Sequence, residues 1–336
     1  MTIVRRAALL ALLAAVLYVA WYHATRAPLR AADDPPVPLV VPPGASTEAI
    51  GLALGQLQLV RHPMVFKALV LLRGASGRLR AGEYTVEGPV SLEQVLDMLL
   101  RGEVVRHDIT FPEGKNLEEM GDLVALRGAD REAFLRAASD PGLVRDLDPA
   151  ATNLEGYLFP DTYDLPRSGA ATAVLVERMV QRFRAVLEPL QADLSRSGLS
   201  LREAVTLASI VELETARAEE RPRIAAVFLN RLRRGMPLQT DPTVIYALRK
   251  AGTWDGNIRK RDLEIDSPYN TYRRVGLHPG PIASPGREAL RAVAQPAPDK
   301  ALYFVSRNDG THQFSETLAE HERAVDRYQR RRGGRG

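Results

Sequence analysis

The chain has no cysteine among its 336 residues. This absence excludes disulfide bonds and thiolate metal sites. It does not fix the compartment, although a chain without thiols is compatible with an oxidising extracytoplasmic space. The sequence also lacks a glycine-rich phosphate loop, a dinucleotide-binding glycine fingerprint and a Gly-x-Ser-x-Gly nucleophile elbow.

Metal and nucleic-acid sites have equally little support. The six histidines are scattered, and His321-Glu322 is not followed by a second histidine at the spacing of a zinc protease. The net charge of +4 is concentrated in the C-terminal tail, and no basic stripe with interleaved aromatics appears. We therefore expect no metal, no cofactor and no nucleic-acid partner.

The N-terminus carries an uncharged apolar run, residues 7–22, behind Arg5 and Arg6. Its length and the interfacial aromatics near its end predict a single membrane-spanning helix. The two arginines place the N-terminus in the cytoplasm and the rest of the chain outside, although Arg26 and Arg30 weaken this asymmetry. A cleaved signal peptide is the alternative, since small residues follow at 31–32.

The remaining sequence predicts an α+β protein with a mainly helical second part. The predicted segments are a cytoplasmic N-terminus and anchor at 1–25, a proline-rich linker at 26–38, a small α+β module at 39–125, a helical domain with a short hairpin at 126–330, and a basic flexible tail at 331–336. The prolines of the linker predict a stiff spacer that lifts the folded body off the membrane.

An internal echo supports the small module. Val41-Pro42-Pro43-Gly44 is repeated by Phe111-Pro112-Glu113-Gly114, and a short polar residue, Ser46 or Asn116, follows each copy. Each copy predicts an extended residue, a turn and a capped helix. Two copies indicate a small duplicated unit, because a solenoid needs three or more repeats.

Several elements can be placed from local patterns. Strands are expected at 82–86 and 104–111, with a helix between them that starts at a Ser91–Gln94 capping box and ends near Gly102. Further helices are expected at 170–197, 201–217 and 220–234, and Asp241 is expected to cap the next helix ahead of a proline. A hairpin around 302–314 precedes a final helix from about 316.

The most informative stretch is residues 207–215, where Glu212 and Glu214 lie in an apolar helical run. Burial disfavours the ionised form of a carboxyl and raises its pKa, as a general acid near neutral pH requires. The alternative is that both glutamates pair with arginines on a solvated face. Because a helix advances about 100° per residue, the two side chains diverge by about 200°, and only one of them can act on a given bond.

Two later loops are polar and aromatic. Residues 239–246 combine amide, hydroxyl, carboxylate and phenol groups, and residues 267–272 carry two tyrosines and an asparagine. Such groups suit a polyhydroxylated ligand. The structural alternatives are helix capping by Asp241 and aromatic rings that pack over a helix end.

Together these motifs resemble the MltG (YceG-like) family of endolytic murein transglycosylases. The resemblance is carried by residues 155–163, 207–215, 220–221, 227–232, 238–246, 269–272 and 280–286, in that order. It implies a single-pass inner-membrane protein with a LysM-like module and a lysozyme-like catalytic domain on the periplasmic side. It also implies peptidoglycan glycan strands as the substrate and the cell-wall synthesis machinery as a possible partner.

The resemblance implies one catalytic acid, Glu214, with Thr215 as the hydroxyl residue that follows it. The family commonly has lysine where Leu213 stands. Gln239, Asp241, Tyr246, Tyr269 and Asn270 are the candidates for holding the sugar, and Glu155, Glu212 and Glu220 are candidates for supporting positions around the acid. A hydrolytic muramidase and a non-catalytic wall-binding scaffold are the rival hypotheses.

Overall fold

The computed structural model describes residues 2–28, 30–105, 108–165 and 171–330. Within these ranges the chain is mainly helical and has three two-stranded antiparallel sheets, which confirms the mixed α+β class. The predicted basic tail, 331–336, lies outside the described residues. The chain divides into two compact units, Met1–His107 and Asp108–Gly336.

Nineteen elements are named in chain order. The helices are α1 (Thr2–Arg26), α2 (Thr47–Gln56), α3 (Pro63–Leu72), α4 (Leu92–Arg101), α5 (Leu117–Leu126), α6 (Arg131–Ala138), α7 (Ala171–Leu187), α8 (Gln191–Ser197), α9 (Leu201–Glu214), α10 (Arg221–Arg233), α11 (Asp241–Lys250), α12 (Arg287–Ala294) and α13 (Leu318–Val325). The strands are β1 (Val37–Val41), β2 (Gly82–Val86), β3 (Asp108–Thr110), β4 (Thr162–Asp164), β5 (Tyr303–Ser306) and β6 (His312–Ser315).

Helix α1 is long and apolar enough over Arg5–Arg26 to cross a membrane. Its alanine- and leucine-rich sequence has no interior glycine or proline, so nothing interrupts the helix. The end of α1 contacts the first unit: Trp21 packs against the apolar core, Thr25 is buried, and Arg26 forms an ion pair with Glu93 at 3.1 Å. The predicted spacer at 26–38 therefore begins at the end of a helix that contacts the apolar core of this unit.

The first unit consists of β1, α2, α3, β2 and α4 around one apolar core. Strands β1 and β2 pair so that Leu39 lies opposite Tyr84, and both side chains face the core. The predicted capping box at Ser91 and Gln94 begins α4. Gly102 ends the helix in the left-handed conformation, φ 66°, which glycine adopts without steric cost.

The internal echo corresponds to two copies of the same element order. In the first unit β1 leads through a turn to α2, α3 and β2; in the second, β3 leads to α5, α6 and β4, and the outer strands pair antiparallel in both. Gly44 and Gly114 have φ of 75° and 76° in equivalent turns. Ser46 and Asn116 cap the following helices, as predicted.

The second copy belongs to the larger unit. Phe111 and Met120 are buried in the same core as the C-terminal helices. The structural division falls after His107, whereas the predicted boundary is at residue 125. The apolar faces of β3 and α5 pack in one core with the later helices, which places them in the second unit.

Helix α9 lies at the centre of this larger core, and residues 204–211 are all buried. It contacts α10, α11 and α12. The helix predicted at 170–197 is interrupted by a 3-10 turn at Glu188–Leu190, because Pro189 cannot continue an α-helix. The predicted hairpin is formed by β5 and β6 and is followed by α13.

Candidate active site

Helix α9 brings the two glutamates of the apolar run to its C-terminal end. A capping box between Ser200 and Glu203 begins the helix, and Glu214 is its last residue. Thr215 is extended, with φ −149° and ψ 136°, so the chain turns away directly after the acid. The two carboxyl groups have different partners, as their helical spacing predicts.

Glu214 is half-buried, and its carboxyl oxygen Oε1 accepts a hydrogen bond from the Thr240 hydroxyl. Burial raises the pKa of Glu214 above its ordinary value, and the neighbouring Asp241 raises it further. The Thr240 hydrogen bond and the nearby side chains of His312 and Arg231 oppose this shift. The result is a carboxyl that holds its proton more strongly than an ordinary glutamate does, in a site where its ionised form is also partly stabilised.

Glu212 is a bound carboxylate on the other side of α9. Its Oε1 atom accepts from Arg221 Nη2 at 2.5 Å, and its Oε2 atom accepts from the Gly286 amide at 2.8 Å. Burial and the adjacent Glu113 raise the pKa of Glu212, and the Gly286 amide and Arg221 lower it. The net effect raises the pKa of Glu212 to about 7, and both of its oxygens are held by hydrogen bonds from the protein.

An open cleft of about 750 Å³ runs past both glutamates. One wall contains the Glu113–Asn116 turn, and the other contains the first turns of α11. A second cavity of about 580 Å³ shares Asn116, Tyr246 and Trp254 with the first, so the two form one continuous groove. A groove lined by amide, phenol, indole and charged groups fits a polar ligand with stackable ring faces.

Glu155 is a second buried acid, further along the groove. It accepts from the Leu117 backbone N–H at 3.2 Å and from the Tyr246 hydroxyl at 3.3 Å. Burial raises the pKa of Glu155 to about 8. Tyr246 in turn packs on Tyr269, with ring centroids 4.9 Å apart, and the Lys250 ammonium lies 5.6 Å from the Tyr246 ring centroid.

Other predicted residues lie outside this groove. Asn270 is fully buried, and its amide donates to the carbonyls of Leu263 and Ile265 while its oxygen accepts from the Tyr272 N–H. The structure thus gives Asn270 no exposed surface for a sugar; it holds a loop together. Gln239 is exposed and adopts a left-handed backbone, φ 51°.

Asp241 and Glu220 have structural partners near the acid. The N-cap of α11 is Thr240, not Asp241 as predicted, and the Asp241 carboxylate instead accepts from the Tyr272 hydroxyl at 2.6 Å. Glu220 holds His312 through two contacts, to its backbone N–H at 2.9 Å and to its Nδ1 at 2.6 Å. Glu220 therefore supports the hairpin beside Glu214.

Several site residues were not singled out in the sequence. Glu113 and Arg221 belong to motifs described above, but no local pattern pairs either of them with Glu212. Glu113 precedes Glu212 by about a hundred positions along the chain. His312 is far from the acid along the chain and lies in a hairpin. Thr240 could have been found from one signal, namely a threonine directly before Asp-Pro at a helix start.

The described residues contain no group of three or more His, Asp or Glu side chains that could hold a metal ion. The site contains the Glu214 carboxyl, with a raised pKa, in an open polar groove whose side chains are held by buried hydrogen bonds. A carboxyl of this kind is suited to general acid/base chemistry.

Comparisons with known proteins agree with this class. The model of the YceG-like family matches residues 39–327. A Bacillus subtilis (strain 168) protein named endolytic murein transglycosylase is 32% identical over 309 residues, 86% of this chain and 83% of that protein. The chain belongs to the YceG-like family.

Two further relatives define the extent of the similarity. A Streptococcus pneumoniae (serotype 2, strain D39) protein with the same name is 32% identical, and the match covers 89% of this chain but only 59% of the pneumococcal protein. The crystal structure of a YceG-like protein from Listeria monocytogenes matches with a TM-score of 0.59 and 29% identity, over 86% of this chain and 98% of that one.

Proposed function

We propose that this chain is an endolytic peptidoglycan lytic transglycosylase. It cleaves the β-1,4 bond between N-acetylmuramic acid and N-acetylglucosamine within nascent glycan strands, leaves a 1,6-anhydro end and so terminates strand elongation. The observation that carries the proposal is the half-buried Glu214 carboxyl that lines the groove and whose pKa is raised by burial. The names of the Bacillus and Streptococcus relatives support the same activity.

The first step uses Glu214 as a general acid. Its proton passes to the glycosidic oxygen, the bond from C1 of the muramic acid breaks, and the electron pair leaves with the N-acetylglucosamine O4. The muramyl ring is left as an oxocarbenium ion, and Glu214 is left as a carboxylate. The nearby Arg231 guanidinium and the Thr240 hydrogen bond stabilise that carboxylate.

The second step uses the same side chain as a base. The Glu214 carboxylate takes the proton from the C6 hydroxyl of the muramic acid, and O6 attacks C1 to close the anhydro ring. The acid is regenerated, and no water is consumed. One carboxyl group is sufficient because the nucleophile belongs to the substrate.

The groove supplies the sugar contacts in this proposal. Tyr246 and Trp254 line both cavities and offer ring faces to pyranose rings, and Asn116 offers an amide. Tyr269 packs behind Tyr246 and orients it. Gln239 and Asp241 do not line either cavity and remain proposed sugar contacts beside the groove, and Glu155 holds Tyr246 in place.

The remaining assignments follow from the same proposal. The strand–helix–helix–strand order of the first unit supports a LysM-like, glycan-binding module, and the central helix with a terminal acid supports a lysozyme-like catalytic domain. Helix α1 would anchor the chain once in the inner membrane, with both units on the periplasmic side and in reach of the cell-wall synthesis machinery.

The test is digestion of purified glycan strands by the full chain in detergent, with product masses read by mass spectrometry. A transglycosylase yields ends one water lighter than a hydrolase does. Glu214→Gln should bind strands and leave them uncut. Reducing ends would instead identify a muramidase, and strand binding without cleavage by the wild-type protein would identify a scaffold.

A further inference from the structure

We propose that Thr240 is a positioning residue for the catalytic carboxyl of Glu214. Thr240, Thr243 and Thr271 form a buried hydrogen-bond network that keeps the Thr240 hydroxyl on Oε1 of Glu214, so that Oε2 presents the proton to the substrate. This inference rests on the proposed function. The juxtaposition that carries it is the hydrogen bond between the start of α11 and the end of α9.

Thr240 occupies an N-cap position without capping its helix. A threonine at this position normally accepts a hydrogen bond from a backbone N–H in the first turn, which stabilises the helix by about 1 kcal/mol. Here the backbone has the usual extended N-cap conformation, φ −120° and ψ 125°, yet the side chain makes no cap hydrogen bond. The hydroxyl donates to Glu214 instead. A helix that gives up its cap for a contact with an acid points to a role at that acid.

The hydroxyl protons of the network can be assigned from its geometry. Thr243 Oγ1 lies 2.7 Å from the Thr240 carbonyl oxygen, to which it donates its only hydroxyl proton. Thr271 Oγ1 lies 2.9 Å from Thr243 Oγ1 and must therefore be the donor in that pair. Thr271 Oγ1 also accepts the Thr240 backbone N–H at 3.1 Å. The donors and acceptors among Thr240, Thr243 and Thr271 are therefore fixed, and all three residues are buried.

The backbone before Thr240 reinforces this placement. Gln239 has φ 51°, in the left-handed region that residues other than glycine rarely adopt. Its N–H donates to the Thr271 carbonyl at 3.2 Å. Thr271 therefore contacts both residues of the turn that leads into α11, and the strained turn fixes where the Thr240 hydroxyl points.

The consequence for Glu214 is an asymmetric carboxyl. An oxygen that accepts from Thr240 is the one without the proton, because the hydroxyl has no other acceptor among the residues that the structure describes. The proton is then on Oε2, for which no protein donor is found in the same part of the chain. After proton transfer the Thr240 bond stabilises the carboxylate and keeps it in place for the second step.

The test compares Thr240→Val, which keeps the shape and removes the hydroxyl, with Thr240→Ser, which restores it. The matched control is Thr253→Val, just past the end of α11, where the hydroxyl only contacts the Leu248 carbonyl at 3.4 Å. Rates of anhydro-end formation are measured against pH, and the Glu214 carboxyl is titrated by NMR with carboxyl-labelled glutamate, Glu214→Gln identifying the signal.

We expect Thr240→Val to lower kcat about 10- to 100-fold, as expected for a lost hydrogen bond to a charged group. The Glu214 pKa and the basic limb of the rate profile should both rise by about one pH unit. The melting temperature should stay within about 2 °C of the wild type, since no helix cap is lost. Thr240→Ser should recover most of the rate, and Thr253→Val should match the wild type.

The proposal is overturned if Thr240→Val keeps the wild-type rate and titration, or if the serine variant is as impaired as the valine variant. If the valine variant does not fold, Thr240→Ala removes the hydroxyl without filling its place and is subject to the same two measurements. Failure of the proposed function is seen separately: the wild-type chain would then form no anhydro ends, while the titration of Glu214 in the threonine variants still decides the role of Thr240.

Discussion

The two glutamates of α9 should separate into one that stabilises the fold and one that performs chemistry. Glu212 is 9% exposed and forms a 2.5 Å ion pair with Arg221, which is itself buried. Removing one partner of a buried ion pair costs about 3–5 kcal/mol, because the other charge is left without compensation. We therefore expect Glu212→Gln to lower the free energy of unfolding by that amount.

In a domain of this size, about 1 kcal/mol changes the melting temperature by about 2–4 °C, so Glu212→Gln should melt about 6–20 °C lower. Glu214→Gln should behave in the opposite way. It replaces a carboxyl whose burial is unfavourable, so its melting temperature should be unchanged or higher, while its rate should fall about 100- to 10,000-fold through loss of the general acid.

The assay is thermal unfolding followed by circular dichroism, together with glycan digestion at a temperature where every variant is folded. The matched control is the double replacement Glu212→Met with Arg221→Met, which removes both charges and should recover most of the lost stability. If Glu212→Gln is stable but inactive while Glu214→Gln still cleaves strands, the assignment of the acid is refuted.

Three further predictions concern groups that hold the groove together. Glu155→Gln should flatten the pH dependence of stability. The pKa of Glu155 in the folded protein is raised to about 8, so its contribution to the free energy of unfolding is fully present below the unfolded pKa near 4.5. That contribution is lost as pH rises towards 8, by up to about 1.4 kcal/mol per pH unit. Urea unfolding at pH 5 and pH 8 checks this, and an equal difference between variant and wild type at both pH values would contradict it. Gly156→Ala should lower the free energy of unfolding by about 2–5 kcal/mol, because Gly156 has φ 82° and a Cβ there would lie 2.4 Å from Cβ of Pro281. A melting temperature within about 2 °C of the wild type would count against this packing. Arg231→Lys should lower the free energy of unfolding by about 3 kcal/mol or more, because an ammonium cannot reproduce the guanidinium fork that donates to the Leu238 and Leu302 carbonyls, each at 2.7 Å. A lysine variant as stable as the wild type would exclude this explanation.

Local patterns predicted the elements well where the signal is local. The Ser91–Gln94 capping box, the Gly102 helix end and the duplicated strand–turn–helix were all predictable, because each depends on residues a few positions apart. The structure divides the chain after His107, earlier than the predicted boundary at residue 125. Residues 108–125 carry the same local signals as the first copy, and only their burial against the later helices assigns them to the second unit.

The site was predictable only in part, for the same reason. An acid in an apolar run is visible in the sequence, but its partners come from separate elements: Thr240 from the start of α11, Gly286 from the turn before α12 and His312 from a hairpin strand. Asn270 shows the converse case. A polar residue among tyrosines fits a sugar site as well as a buried loop anchor, and only tertiary burial distinguishes the two.

The proposed mechanism uses one carboxyl as both acid and base, and the position of Glu214 between two helix ends supports this dual use. It is the last residue of α9, where the unpaired carbonyls give a partial negative charge that disfavours the carboxylate. Thr240 stands at the start of α11, where the unpaired N–H groups give a partial positive charge that favours it. Each effect is worth about 0.3–1 kcal/mol, so neither end dominates. Burial then sets the direction, towards the protonated acid, and the Thr240 hydroxyl limits its extent. A group balanced in this way gives up its proton to a glycosidic oxygen at a moderate cost and regains one from a hydroxyl in the next step, which a carboxyl buried against apolar residues alone would not do.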